Sequence, residues 1–213
     1  MSISPRTAAL VDDLGEVSKL GDLRKIAKDI KTDHELAMEL WSTGSMPARQ
    51  LAILIMDKKE VTQELVDALD RDLQDLEAAE QTQLFDWLLA NQLGRSARGK
   101  ALMNSWEFSP SALQRRTFWY YQARLRWTGQ TSPSNSEYLL DAMEARIEDE
   151  VPEVQWAMNF TAGQIGTYEP ELRSRCIALG ETTGLYRDER VARGCTPSYL
   201  PEFIRIQVSK LPA

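Results

Sequence analysis

Apolar residues recur at helical spacing almost from the start of the chain. Leu23, Ile26, Ala27 and Ile30 fall on one face of a helix that begins near Gly21, and Leu36, Met38, Leu40 and Trp41 mark a second helix after a short break. Asp33 is suited to cap that second helix, because its side-chain oxygen can accept an orphan backbone N–H of the first turn. A third helix, Pro47–Ile55, follows directly, with proline in the first turn where a missing N–H costs nothing. Helices joined this tightly stack as antiparallel hairpins.

The same pattern predicts helices from Ser4-Pro5 towards Gly15, from Thr62 onward, from Asp75 to Asn91 and from Ser96 to Trp106. Further helices are predicted from a Ser109 cap and Pro110 to about Trp127, then Ser136 to Asp149, Pro152 to Ile165, Pro170 to Leu185 and Pro201 to Ser209. Gly129 to Ser134 reads as a polar loop, and Arg187 to Pro197 as a structured loop before the last helix. No run alternates with period two, so no sheet is expected. Roughly ten helices at intervals of about twenty residues make hairpin units of about forty, the length of HEAT or armadillo repeats. The expected fold is therefore all-α: a right-handed α-α superhelix (solenoid) of HEAT-like antiparallel helix pairs, with residues 1–213 forming one domain. Most tryptophans, Trp41 and Trp87 included, are expected on buried stripes.

Composition narrows the class. Hydrophobic residues at 43% and charged residues at 27% are globular values without a disorder signature. No apolar run approaches the ~18 residues of a membrane span, and Met1 to Arg6 lacks the apolar core of a signal peptide. A cytoplasmic protein, away from membranes, is expected. Cys176 and Cys195 stand far apart and His34 is the only histidine, which leaves too few ligands for an ordinary zinc site. Neither a metal nor a cofactor is expected, and Cys195 has no partner for nucleophilic catalysis.

A formal net charge of −7 argues against nucleic acid until its distribution is considered. Between Gly94 and Trp127 stand seven basic residues (Arg95, Arg98, Lys100, Arg115, Arg116, Arg124, Arg126) and one acid, Glu107. Asp57 to Asp86 carries ten acids against three bases, and Arg173 to Lys210 is basic again, seven to four. Charge segregated in this way can give a folded protein one positive face despite an acidic total. Trp119, Tyr120 and Tyr121 beside Arg115 and Arg116 add an aromatic and basic cluster of the kind that meets phosphates and bases.

Several words recur in a characteristic order: Leu23–Ile55, Lys100-Ala101-Leu102-Met103, Arg115-Arg116-Thr117-Phe118-Trp119, Ala157-Met158-Asn159-Phe160 with Gln164-Ile165-Gly166, and Gly194-Cys195-Thr196-Pro197. In their order and spacing, from about Leu20 to Pro201, the chain resembles the bacterial DNA alkylation repair family of HEAT-like repeat proteins. The resemblance implies a helical solenoid that clamps duplex DNA in a concave basic groove. Glycosylases of the family release cationic alkylpurines such as 3-methyladenine and 7-methylguanine. Breaking that bond leaves an oxocarbenium-like sugar, which a carboxylate stabilises electrostatically while aromatic faces flank the cation.

In the family's glycosylases these parts are a Trp with an Asp four residues later, an Arg on a nearby helix and a second Trp on a later one. Carried onto this chain, the first Trp position reads Leu76 and the Asp position Glu80; the Arg falls on Arg115 or Arg116, with Arg116 the better match to an Arg-x-Phe wording, and the second Trp on Phe160 with Trp156 one turn earlier. The resemblance thus implies Glu80 and Arg116 as catalytic residues and Leu76, Trp156, Phe160 and Trp119 as facing base or sugar. Arg95, Arg98, Lys100 and Arg115 are the expected phosphate contacts. The expected function is binding of alkylated or distorted double-stranded DNA by a monomer through a concave basic face, with weak or no glycosylase activity. The alternatives are an active glycosylase for cationic alkylpurines and a HEAT-type scaffold for another protein.

Overall fold

A computed structural model describes residues 3–15, 19–127 and 132–212. Regular structure among them consists of twelve α-helices and three short 3-10 turns, without a strand. The helices are α1 (Pro5–Leu14), α2 (Leu20–Ile30), α3 (His34–Ser42), α4 (Met46–Ile55), α5 (Gln63–Arg71), α6 (Ala78–Asn91), α7 (Ala97–Ser105), α8 (Ala112–Trp127), α9 (Ser136–Arg146), α10 (Pro152–Tyr168), α11 (Arg173–Thr183) and α12 (Leu200–Val208). Gly129 and the first part of the polar loop expected at 129–134 lie outside the described residues. Contacts gather into two compact units, Met1–Ser105 and Trp106–Ala213.

Most starts follow from local capping chemistry. Ser4 accepts the Thr7 N–H, Asp33 the Leu36 N–H and Thr62 the Leu65 N–H, and proline stands in the first turn of α1, α4, α10 and α12. Three starts differ from the sequence reading by more than one residue. α6 opens at Ala78 and not Asp75, because residues 72–76 form successive turns that bury Leu73, and Asp72 is held by Trp41 and Arg49. α8 opens at Ala112 with Ser111 accepting the Gln114 N–H, while Arg115 Nη1 ties down the carbonyls of Ser109 and Pro110. The last helices also shift: α10 runs on to Tyr168, and α11 begins at Arg173.

Each unit is built around one helix buried nearly all round. In the first, α4 packs on α1, α2, α3 and α6, and its Ala48, Leu51, Ala52, Ile53 and Ile55 are all inaccessible. In the second, α10 packs on α8, α9, α11 and α12. Gly163 and Gly166 let α12 come close. A Cβ on Gly163 would stand 2.7 Å from the Phe203 ring, and one on Gly166 2.6 Å from Ile204. Glycine's cost to helix stability, about 0.5–1 kcal/mol, is accepted here for that approach.

Candidate functional site

In the second unit, three helices converge on a group of aromatic rings. Arg116 and Tyr120 are one turn apart on α8, with Trp127 further along the same helix, and Trp156 and Phe160 are one turn apart on α10. Trp156 and Phe160 stack nearly parallel, at 7° with centroids 5.2 Å apart. Tyr120 lies 6.0 Å from Trp156 and 5.9 Å from Phe160, while Trp127 meets Phe160 edge-on at 5.3 Å. The Arg116 guanidinium sits 5.3 Å from the Trp156 ring and 5.4 Å from Tyr120, and the residue as a whole is only 3% exposed. Tyr120, Trp127, Trp156 and Phe160 are half-buried, so their rings keep surface available to a partner.

A cavity of about 130 Å³ adjoins the stacked pair, lined by Trp156, Asn159, Phe160, Thr196, Ser198 and Phe203. The segment carrying Thr196 and Ser198 is anchored to α10 by a hydrogen bond from Asn159 Nδ2 to the Ser198 carbonyl, 2.8 Å. Phe203 reaches the site through the glycine contact at Gly163 and meets Phe160 edge-on at 5.9 Å.

Of the residues singled out from sequence, Arg116, Trp156 and Phe160 come together here. Two others are corrected. Trp119 is fully buried, packed edge-on against Phe118 at 5.1 Å, and cannot face a base or sugar. Arg115 has its guanidinium committed: Nε and Nη2 donate to the Glu150 carboxylate and Nη1 to the Ser109 and Pro110 carbonyls. A bidentate pair of this kind neutralises the charge that a phosphate would seek.

Glu80 and Leu76 belong to the other unit. Leu76 lies half-buried in the turns before α6, and Glu80 is half-buried in that helix's first turn. Glu80 and Asp72 act electrostatically on Arg49, whose pKa burial lowers and these two acids raise. Arg49 lies over the Trp41 ring at 5.1 Å and donates to the Asp72 carbonyl, while Trp41 Nε1 donates to the Asp72 carboxylate. Half of the six tryptophans are buried, where most were expected to be: Trp41, Trp106 and Trp119 are buried, while Trp127, Trp156 and Trp87 are half-buried, Trp87 with Nε1 donating to the Gln50 carbonyl and Arg24 over its ring.

The predicted phosphate contacts Arg95, Arg98 and Lys100 are exposed on the first unit. Arg95 lines a cleft of about 420 Å³ together with Lys58 and Lys59, and Arg98 Nη1 donates to the Lys59 carbonyl. Lys58 and Lys59 escaped the sequence reading because they stand between Asp57 and Glu60 in an acid-rich stretch. Buried Cys176 has its thiol pushed up to about 12, chiefly by desolvation, so it stays protonated near neutral pH. Among the described residues no helix is long and apolar enough to cross a membrane, and no group of three or more His, Cys, Asp or Glu is placed to hold a metal ion.

Comparison with known proteins agrees with this architecture. A solved structure described as "a new family of proteins related to the HEAT-like repeat DNA glycosylases with affinity for branched DNA structures" superposes with a TM-score of 0.65 at 21% identity, covering 98% of this chain and 88% of that one. The likeness establishes an all-α fold of the HEAT-like repeat type. No curated protein matches the chain. The family model for DNA alkylation repair enzymes matches residues 18–183, and the chain belongs to that family.

Proposed function

We propose that this protein binds branched or distorted double-stranded DNA and has weak or no glycosylase activity. The observation that carries the reading is the half-exposed ring cluster around Arg116, with a base-sized cavity beside it. Partly exposed aromatic faces suit a stacked base, and such stacking tolerates any sequence. The exposed Arg95, Arg98 and Lys100, with Lys58 and Lys59, supply backbone contacts that position without reading bases. The affinity of the structurally similar protein for branched DNA points the same way.

Excision needs negative charge and ring faces at the developing sugar cation. Glu80, the carboxylate matched to the family's Asp, has Arg49 as an electrostatic neighbour. Leu76 offers no ring, and one face of Phe160 is already stacked on Trp156. These features favour recognition over cleavage.

The test is fluorescence anisotropy with a three-way junction and a matched duplex between about 50 and 200 mM salt. Tighter binding to the junction, weakening steeply with salt, is expected. The double variant Arg95→Ala/Arg98→Ala is expected to flatten the slope of log affinity against log salt by about 2. Equal and salt-insensitive affinities would overturn the binding claim. Rapid release of 7-methylguanine that is lost in Glu80→Gln would establish the glycosylase instead.

A further inference from the structure

We propose that the cavity beside the Trp156–Phe160 stack receives one unpaired nucleobase from the branch point of a DNA junction. The base stacks on the aromatic wall and donates a hydrogen bond to Asn159 Oδ1. The inference rests on the DNA-binding reading above and names the part of the DNA that the site takes.

Asn159 carries the argument. It is 3% exposed, and its Nδ2 donates to the Ser198 carbonyl at 2.8 Å. Only the amide nitrogen can donate to a carbonyl, so that bond fixes which way the amide points. Its oxygen is then left buried without a hydrogen-bond partner, although the residue lines the cavity. A buried acceptor left unmade is unfavourable, and a ligand bearing N–H relieves it.

The chemistry of that ligand is restricted. A phosphate near neutral pH brings acceptors, which Asn159 Oδ1 would repel. Walls formed by Trp156, Phe160 and Phe203 call for something flat and apolar on its faces, and about 130 Å³ gives room for a single base and not a base pair. A flat, uncharged ring system with N–H on its edge is a nucleobase. In a duplex the faces of a base are covered by its stacked neighbours and its Watson–Crick edge is engaged, so an unpaired base is the one free to enter a ring-walled cavity and donate from that edge. Adenine and cytosine, whose amino groups project from the ring edge, fit better than thymine, whose N3–H is flanked by two carbonyl oxygens. Branch points and distorted sites are where DNA presents unpaired bases at the lowest unstacking cost.

The experiment uses the full chain and a three-way junction with one unpaired nucleotide at the branch: 2-aminopurine, adenine, thymine or an abasic sugar. Anisotropy reports binding, and 2-aminopurine emission reports stacking. Emission is expected to fall several-fold on binding, with adenine held about tenfold tighter than the abasic sugar and thymine in between. Phe160→Leu, checked for an unchanged helical circular dichroism spectrum, is expected to restore most of the emission. If the junction binds with unchanged emission and the abasic form binds equally well, the inference falls while the DNA-binding reading stands. If no junction binds, both fall.

Discussion

Both units of the molecule lay arginines over indoles, and two of these pairs, Arg49–Trp41 and Arg116–Trp156, are used in opposite ways. Arg49, 8% exposed, closes a loop with Trp41 and Asp72: the guanidinium covers the ring and donates to the Asp72 carbonyl, while the indole N–H donates to the Asp72 carboxylate. With Trp41 at 4% exposure, no ring surface remains for a partner. Arg116, still more deeply buried, lies against Tyr120 and Trp156, which remain half-buried, and Trp156 lines a cavity. An arginine–tryptophan pair is therefore no functional signature on its own. What separates a structural anchor from a recognition surface is whether the indole keeps exposed surface.

The largest effect predicted from this contrast is on stability, at the closed loop. Arg49→Ala removes the donor to the Asp72 carbonyl and the counter-charge to Asp72 and Glu80, which costs about 2–3 kcal/mol. For a chain of this length that lowers Tm by roughly 4–12 °C, measurable by thermal circular dichroism. Junction affinity of the folded variant is expected to stay near wild type. Trp156→Ala should do the reverse. Loss of one stacking face weakens junction binding about tenfold by anisotropy, and Tm falls by less than in Arg49→Ala because the ring is already half-exposed. Equal Tm losses in the two variants would break the comparison.

Legibility of the chain from sequence divides along similar lines. Asp33, Thr62 and Pro47 marked helix starts because capping depends on residues within one turn. The start of α6 was misread because Asp72 is pinned by Trp41 and Arg49, distant partners that no local pattern reveals. The Trp156–Phe160 spacing disclosed a shared helix face, but not that the face stays partly open. Phe203, Thr196 and Ser198 join the site only through tertiary packing. A signal for that packing did exist in Gly163 and Gly166, spaced one turn apart on α10, since small residues at such spacing mark close approach of another helix. Trp119 looked identical to Tyr120 in sequence. One position of helix rotation put it inside the core.

The smallest predicted effect concerns the edge of the first unit, where a titrating group and not a buried one holds the contact. The Glu39 carboxylate accepts from the Ser4 hydroxyl at 2.6 Å, from the Ser4 N–H at 3.1 Å and from the Thr7 hydroxyl, fastening the start of α1 to α3. Bonds to the charged form, the Ser4 hydroxyl foremost, hold its pKa below the ordinary 4.5. A carboxylate depressed in the folded state stabilises above the unfolded value, and that contribution is lost as pH falls through the folded one. Amide exchange across α1, corrected for intrinsic rates, should therefore rise in the wild type between about pH 5 and pH 3, and α10 should be unaffected. Glu39→Gln, which cannot carry the charge, should show the faster α1 exchange throughout that range. An α1 equally protected at both ends of the range would mean that α1 is held by its apolar contacts, with Leu14 buried at 1% exposure, and not by this carboxylate.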